Sequence, residues 1–289
     1  MLPRRLLALL LVGAGLAGCG SDDAAVPAPA ERPAAATAAA EPDPRRPIRT
    51  GPRTLARDLQ DTTRALLAAV DRWEDPSRPG IPREVALLAD RHQRLVRHLA
   101  RDRARSRAVL PLLPSALRRD VRDLVLAPRE LGQIVSQVVG PPPQVRVGPP
   151  EPLGRLREHY RAARRRFGVS PALLAAVNHV ESAFGRLRNR SVSGARGPMQ
   201  FMPATWAAYG MGGEITEPRD AIMGAANYLH ASGAPRREAA ALFAYNPSRR
   251  YVSAVRRYAR LIRSDVRHLH VLYAWQVYAG GRRLTDPPA

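Results

Sequence analysis

The chain has 289 residues, one cysteine, 45% hydrophobic side chains and a formal net charge of +21 at pH 7. That is apolar material for one large domain or two small ones plus tails, and a lone cysteine excludes an intramolecular disulfide. Every positive charge is an arginine. A surface this basic either attracts polyanions (nucleic acid, anionic lipid, acidic wall polymers) or is simply well solvated.

Arg4 and Arg5 begin the chain, and Leu6 to Gly18 form an uncharged apolar run. The run is short of the roughly 20 residues that span a bilayer and fits the core of a secretory signal. It closes on Leu16-Ala17-Gly18-Cys19. This resembles the lipobox of bacterial lipoproteins, in which the cysteine sulfur receives a diacylglycerol and the chain is cut before it. The resemblance implies residues 1–19 as signal peptide, Cys19 as the lipidation site, and an extracytoplasmic protein anchored to the outer face of the cell membrane. An ordinary secretory signal with a chance cysteine is the alternative.

Residues 20–53 are Ala, Pro, Glu and Arg with few large apolar side chains, a composition that cannot bury enough surface to fold. They are expected to be a disordered tether. Residues 54–139 are expected to form a small helical module. Leu55, Leu59, Leu66 and Val70 recur at helical spacing, Pro76 to Pro82 punctuate, and Val85, Leu88, Leu95 and Leu99 mark a second helix from Arg83. Pro111 and Pro114 end it, and a third starts near Ser115. His92 and His98 lie among arginines and are expected to face solvent. No chemistry-bearing motif appears, so the module's role and protein partners stay open.

A second proline-rich linker, 140–152, precedes the domain expected over 153–289. Ser170-Pro171, Met202-Pro203 and Pro218 each read as a helix start, since proline suits the first helical position. Helices are also expected over Arg236–Asn246 and Arg249–Arg263, while Val271–Tyr278 reads as either a strand or a final helical turn.

In the helix from Pro171, Leu174, Val177 and Glu181 share one face. Glu181 thus lies on the apolar face near the helix's negative end. Both settings favour the protonated carboxyl that a general acid needs. Alternatively it caps the turn or pairs with Arg186 or Arg188.

Three further stretches follow in order: Ser191-Val192-Ser193-Gly194-Ala195-Arg196-Gly197-Pro198-Met199-Gln200, then Phe201-Met202-Pro203-Ala204-Thr205-Trp206, then Ala244-Tyr245-Asn246. With Glu181-Ser182 they resemble the soluble lytic transglycosylase family, relatives of goose-type lysozyme, over about 110 residues from near Leu156 to near Arg263. The resemblance implies a mainly α fold with a lysozyme-like catalytic domain. It places the catalytic glutamate on Glu181, substrate contacts on Ser191, Gln200, Tyr245, Asn246 and Met199, and a Tyr245 hydroxyl that orients the glutamate. Met199 serves equally as a core residue, and Trp206 and Tyr228 read as core. Gly194 and Gly197 would let the backbone approach a bulky sugar. Pro198 and Ser248 depart from residues usual in the family.

No second acidic residue has a compelling position; Glu214, Glu217 and Asp220 lie in a loop and helix start. A one-carboxylate site suits the family's reaction: cleavage of the β-1,4 bond between N-acetylmuramic acid and N-acetylglucosamine in peptidoglycan, leaving a 1,6-anhydro end. A hydrolytic muramidase with the same site, or a non-catalytic wall-binding protein, is the alternative. No metal or cofactor is implied, since no histidine cluster has ligand spacing. The partners implied are glycan strands and, through the lipid, a membrane. The export signal and the lack of a recognition motif argue against nucleic acid.

Overall fold

The computed structural model describes residues 42–135, 145–279 and 282–285. The signal peptide, Cys19, most of the tether and the triple-proline part of the second linker lie outside these residues. The described chain is mainly α, as the sequence implies.

Among the described residues four α-helices precede the second linker: α1 Pro52–Asp71, α2 Arg83–Arg101, α3 Arg103–Val109 and α4 Ser115–Val135. Seven follow it: α5 Leu153–Phe167, α6 Pro171–Ser182, α7 Pro203–Tyr209, α8 Pro218–Ala231, α9 Glu238–Tyr245, α10 Arg249–Ser264 and α11 Arg267–Ala274. A two-stranded antiparallel ribbon, β1 Tyr278–Ala279 and β2 Arg282–Arg283, ends the described chain. Proline stands in the first turn of α1, α6, α7 and α8, where its missing N–H costs no helical bond. The starts expected at Pro171, Pro203 and Pro218 are all present.

One apolar core runs through both groups of helices. Helix α10 packs on α4 along one side and on α6 along another, while α1 and α2 also meet α11. The α4–α10 seam carries charge as well as apolar side chains. Asp123, which is buried, accepts from Arg257 at 2.8 Å and from two nitrogens of Arg260 at 2.8 Å each. Glu130 pairs with Arg257 at 3.4 Å, and Arg250 donates to Gln133 at 2.7 Å. Forked guanidinium–carboxylate bonds fix direction as well as distance, so the seam sets how far α10 is advanced along α4.

Helix α2 departs from the expected pattern of one apolar stripe with solvated arginines opposite. Its polar face is covered too. Gln93 donates to the Gln276 carbonyl at 2.9 Å and accepts from the Gln276 N–H at 2.8 Å, so its amide stands in for a strand partner. Asp90 is met by Arg283 at 2.7 Å, and Arg91 pairs with Asp58. Residues 44–47, within the stretch expected as tether, offer carbonyls to Arg91 and Arg94. The Val271–Tyr278 alternatives resolve at Gln276: α11 ends at Ala274, and the next residues extend along α2.

The solvent-facing assignment of the two histidines is corrected. His92 is 2% exposed against Trp275, and His98 is partly buried. The returning C-terminal segment, through Trp275, covers His92, which helical spacing within α2 does not reveal. Burial, with His268 nearby, pushes the His92 pKa down to about 3. His179 on α6 is likewise lowered to about 3 by burial and by Arg186. Both imidazoles are therefore neutral in the folded chain. The unfolded chain takes up their protons once the pH drops below about 6.5, whereas the folded chain does not. The stability they contribute is complete above that pH and is lost as pH falls toward the folded values. Asp90, raised by burial, works the other way at lower pH. The unfolding midpoint should therefore fall between pH 7 and 5. In His92→Gln the dependence should be shallower, by up to about 1.4 kcal/mol per pH unit, in urea titrations at stepped pH.

Candidate active site

Glu181 occupies the last turn of α6 and is 5% exposed. A carboxylate so removed from water needs a donor. The hydroxyl of Tyr251, in the first turn of α10, donates to Glu181 Oε1 at 2.7 Å. Two other carboxylates buried among the described residues, Asp90 and Asp123, are engaged by arginines. The arginines considered as partners for Glu181 are directed elsewhere. Arg186 donates to the Tyr273 carbonyl at 2.7 Å and stacks on its ring, while Arg188 donates to the Pro149 carbonyl at 2.6 Å.

The turn that ends α6 is unusual. Ala183, Phe184 and Gly185 all have left-handed backbone, with φ of 50°, 63° and 81°. For alanine and phenylalanine this conformation costs energy and persists only where the surroundings enforce it. Two buried groups enforce it here. Phe184 sits in the core against His179 and Tyr273. Ser182 Oγ accepts from the Gly185 N–H at 2.8 Å and donates to the Pro198 carbonyl at 2.6 Å. Asn178 donates to the Tyr160 hydroxyl at 2.9 Å and also lies within bonding distance of Ser182. This buried chain ties α5, α6 and the 191–200 loop together directly behind Glu181.

Within that loop, the Ser191 Oγ accepts from the Ala195 N–H at 2.8 Å. The Gln200 amide nitrogen donates to the carbonyls of Gly197 at 3.0 Å and Asn189 at 3.3 Å. Both residues, expected as sugar contacts, thus hold the loop's own shape. The reason given for Gly197 is corrected as well. A side chain there would meet the Ile215 carbonyl at 1.8 Å, so the close approach is to the protein's own backbone. Gly194, with φ of 88°, closes the turn back to Ser191.

Met199 is fully buried, which takes the core alternative for its side chain; its carbonyl accepts from the Tyr245 hydroxyl at 2.5 Å. Tyr245 therefore braces the loop, and Tyr251 is the tyrosine seen 2.7 Å from the glutamate. Asn246 is buried where α9 ends. Ser248 caps α10, its Oγ accepting from the Tyr251 N–H at 3.3 Å. The departure at Ser248 thus fixes the helix start that carries Tyr251. Glu214 and Glu217 are exposed, and Asp220 accepts from the Glu214 N–H at 3.0 Å. Trp206 and Tyr228 are partly buried, in an aromatic cluster with Phe201, Tyr209 and Tyr245.

Sequence reasoning missed Tyr251, Asn178 and the bracing role of Ser182. Tyr251 and Tyr258 stand seven apart on the apolar face of α10, a visible signal, but spacing does not say which hydroxyl meets a carboxylate on another helix.

Residues 158–261 match the family described as the Transglycosylase SLT domain. A curated relative, the membrane-bound lytic murein transglycosylase F of Thiobacillus denitrificans, is 33% identical over 119 residues, covering 38% of this chain and 25% of that protein. The match thus spans about a quarter of the relative's length. No solved structure matches the chain.

Tyr251→Phe removes the donor to Glu181 while keeping the ring. The expected cost is about 1 kcal/mol of stability in thermal unfolding. Cleavage of glycan strands should fall by about tenfold or more, because the carboxyl loses its fixed orientation. Unchanged turnover would dismiss Tyr251 from the site.

Proposed function

We propose, from the match of residues 158–261 to the Transglycosylase SLT domain family, that the chain is a peptidoglycan lytic transglycosylase with Glu181 as its acid and base. The observation that carries this reading is the buried Glu181 carboxyl, held by the Tyr251 hydroxyl at the end of α6. Glu181 in its protonated form gives its proton to the glycosidic oxygen between N-acetylmuramic acid and N-acetylglucosamine. The bond from the muramic acid C1 to that oxygen breaks, and the N-acetylglucosamine leaves with a free hydroxyl. The Glu181 carboxylate then takes the proton of the muramic acid 6-hydroxyl, whose oxygen closes on C1. The product is a 1,6-anhydro end, and the carboxyl is protonated again for the next cycle.

One carboxylate suffices because the nucleophile belongs to the substrate. Glycosidases that use water or an enzyme nucleophile generally need a second carboxylate. Tyr251 holds the carboxyl in register. The braced 191–200 loop, through Ser191, Gln200, Tyr245 and Asn246, gives the sugar a rigid wall to bind against.

For location we extend the reading of the N-terminus. Among the described residues no helix is long and apolar enough to cross a membrane. We propose that attachment to the outer face of the cell membrane rests on a lipid at Cys19, on the strength of the Leu16-Ala17-Gly18-Cys19 motif. Two acyl chains on one diacylglycerol give stable anchoring.

Glu181→Gln should leave the fold intact and lower cleavage of purified peptidoglycan by about a hundredfold or more. Mass spectrometry of the wild-type products should show muropeptides lighter by one water than hydrolysis would give; fully hydrated ends would identify a hydrolase instead. Cys19→Ser should abolish incorporation of a labelled fatty acid and release the protein from the membrane fraction. Equal label in the variant would refute the anchor.

A further inference from the structure

The charge is not spread evenly. A groove between α3 and α4 is walled by Arg103, Arg107, Arg122 and Arg129. Arg103, Arg107 and Arg122 are exposed, and none of the three makes an ion pair with the described residues. Asp123 is committed to Arg257 and Arg260 and Asp102 to Arg105, while Glu130, which also lines the groove, pairs through one oxygen with Arg257 at 3.4 Å.

Arg129 forms the floor. Its guanidinium is held by the carbonyls of Leu99, Ala100 and Asp102 and by Ser106 Oγ, at 2.6 to 2.9 Å. These are all neutral acceptors, so the charge is fixed in place without being cancelled. Its pKa is lowered by burial and by the neighbouring Arg103 and Arg107, with Asp102 offsetting part of the shift. Like charges assembled around a desolvated, rigidly held cation repel one another. An anion laid along the groove relieves that repulsion and gains forked guanidinium bonds.

We propose that this α3–α4 groove is a second binding site, separate from Glu181, and that it takes a linear phosphodiester polymer. Arg103 and Arg107, four residues apart on α3, place successive charges about 6 Å apart along the helix. On the facing wall Arg122 and Arg129 are seven residues apart, about 10 Å along α4. Cations repeating along a trough fit a chain that carries one charge on every short repeat. A flat lipid headgroup layer would meet the exposed rims but not the Arg129 floor.

The test uses the soluble chain and a fluorescent poly(glycerol phosphate) of ten units, with binding read by anisotropy. The triple variant Arg103→Gln, Arg107→Gln, Arg122→Gln changes exposed positions to a good helix former, and its circular dichroism should match wild type. Its affinity should fall by about tenfold or more, and the slope of log affinity against log salt should flatten by about two units. A control triple variant on α5, Arg155→Gln, Arg165→Gln and Arg166→Gln, removes equal charge and should lose less than about threefold. Cleavage of short uncharged glycans should be the same in all three proteins, so failure here is distinguishable from failure of the glycan-cleavage reading. Equal losses in the two triple variants would reduce the effect to diffuse net charge. Equal affinity for polyglutamate of the same length would remove the phosphate preference. Binding to phosphatidylglycerol vesicles but not to the polymer would make the patch a membrane contact. Any of these three outcomes overturns the proposal. Should the triple variant misfold, Arg107→Gln alone carries the same comparison against Arg165→Gln.

Discussion

A buried carboxyl at the end of α6 is costly to hold, and the architecture is arranged around the hydroxyl that meets it. Tyr251 reaches Glu181 because α10 begins at Ser248, which caps it, and lies along α6. The position of α10 is in turn fixed from its other side. Asp123 and Glu130 on α4 grip Arg257 and Arg260, and Gln133 takes Arg250. The distance between α6 and Tyr251 is thus referred back to α4, which precedes the matched segment. Of the first four helices, α4 is the one that packs along α10.

The second constraint is the turn after α6. Two non-glycine residues there hold left-handed backbone, and a buried network of Ser182, Asn178 and Tyr160 bears the cost. The same Ser182 hydroxyl reaches the Pro198 carbonyl, and Tyr245 reaches the Met199 carbonyl from the other side. The loop from 191 to 200 is therefore anchored through its own backbone. Side chains in the shared motif mostly shape this loop. Substituting one of them should act through the loop's geometry, so its effect on turnover is indirect.

Arginine serves two opposed purposes in this chain. Where it is buried, as at Arg91, Arg129 and Arg186, it gathers carbonyls from distant segments that an apolar side chain could not bind. Its five donors suit that task. At exposed Arg103, Arg107 and Arg122 on α3 and α4, no carboxylate among the described residues pairs with it. Composition alone cannot separate the two uses, since both read as the same letter.

The sequence by itself determined the elements and the inward placement of the Glu181 carboxyl. Proline placement marked three helix starts, the apolar period put Glu181 on the inner face of its helix, and the ordered motifs pointed to the family. These are local signals, carried by residues within a few turns of one another. The tertiary structure decided everything that depends on two distant segments meeting. It brought the Tyr251 hydroxyl, from a helix some 70 residues further on, to Glu181. It buried His92 under a C-terminal segment some 180 residues away, pinned where Gln93 bonds Gln276. It put the Ile215 carbonyl against Gly197 and gave the first four helices a place in the same core. Periodicity reports which face of a helix is apolar; it carries no information on which remote residue will cover that face, because coverage is settled by packing across the whole chain.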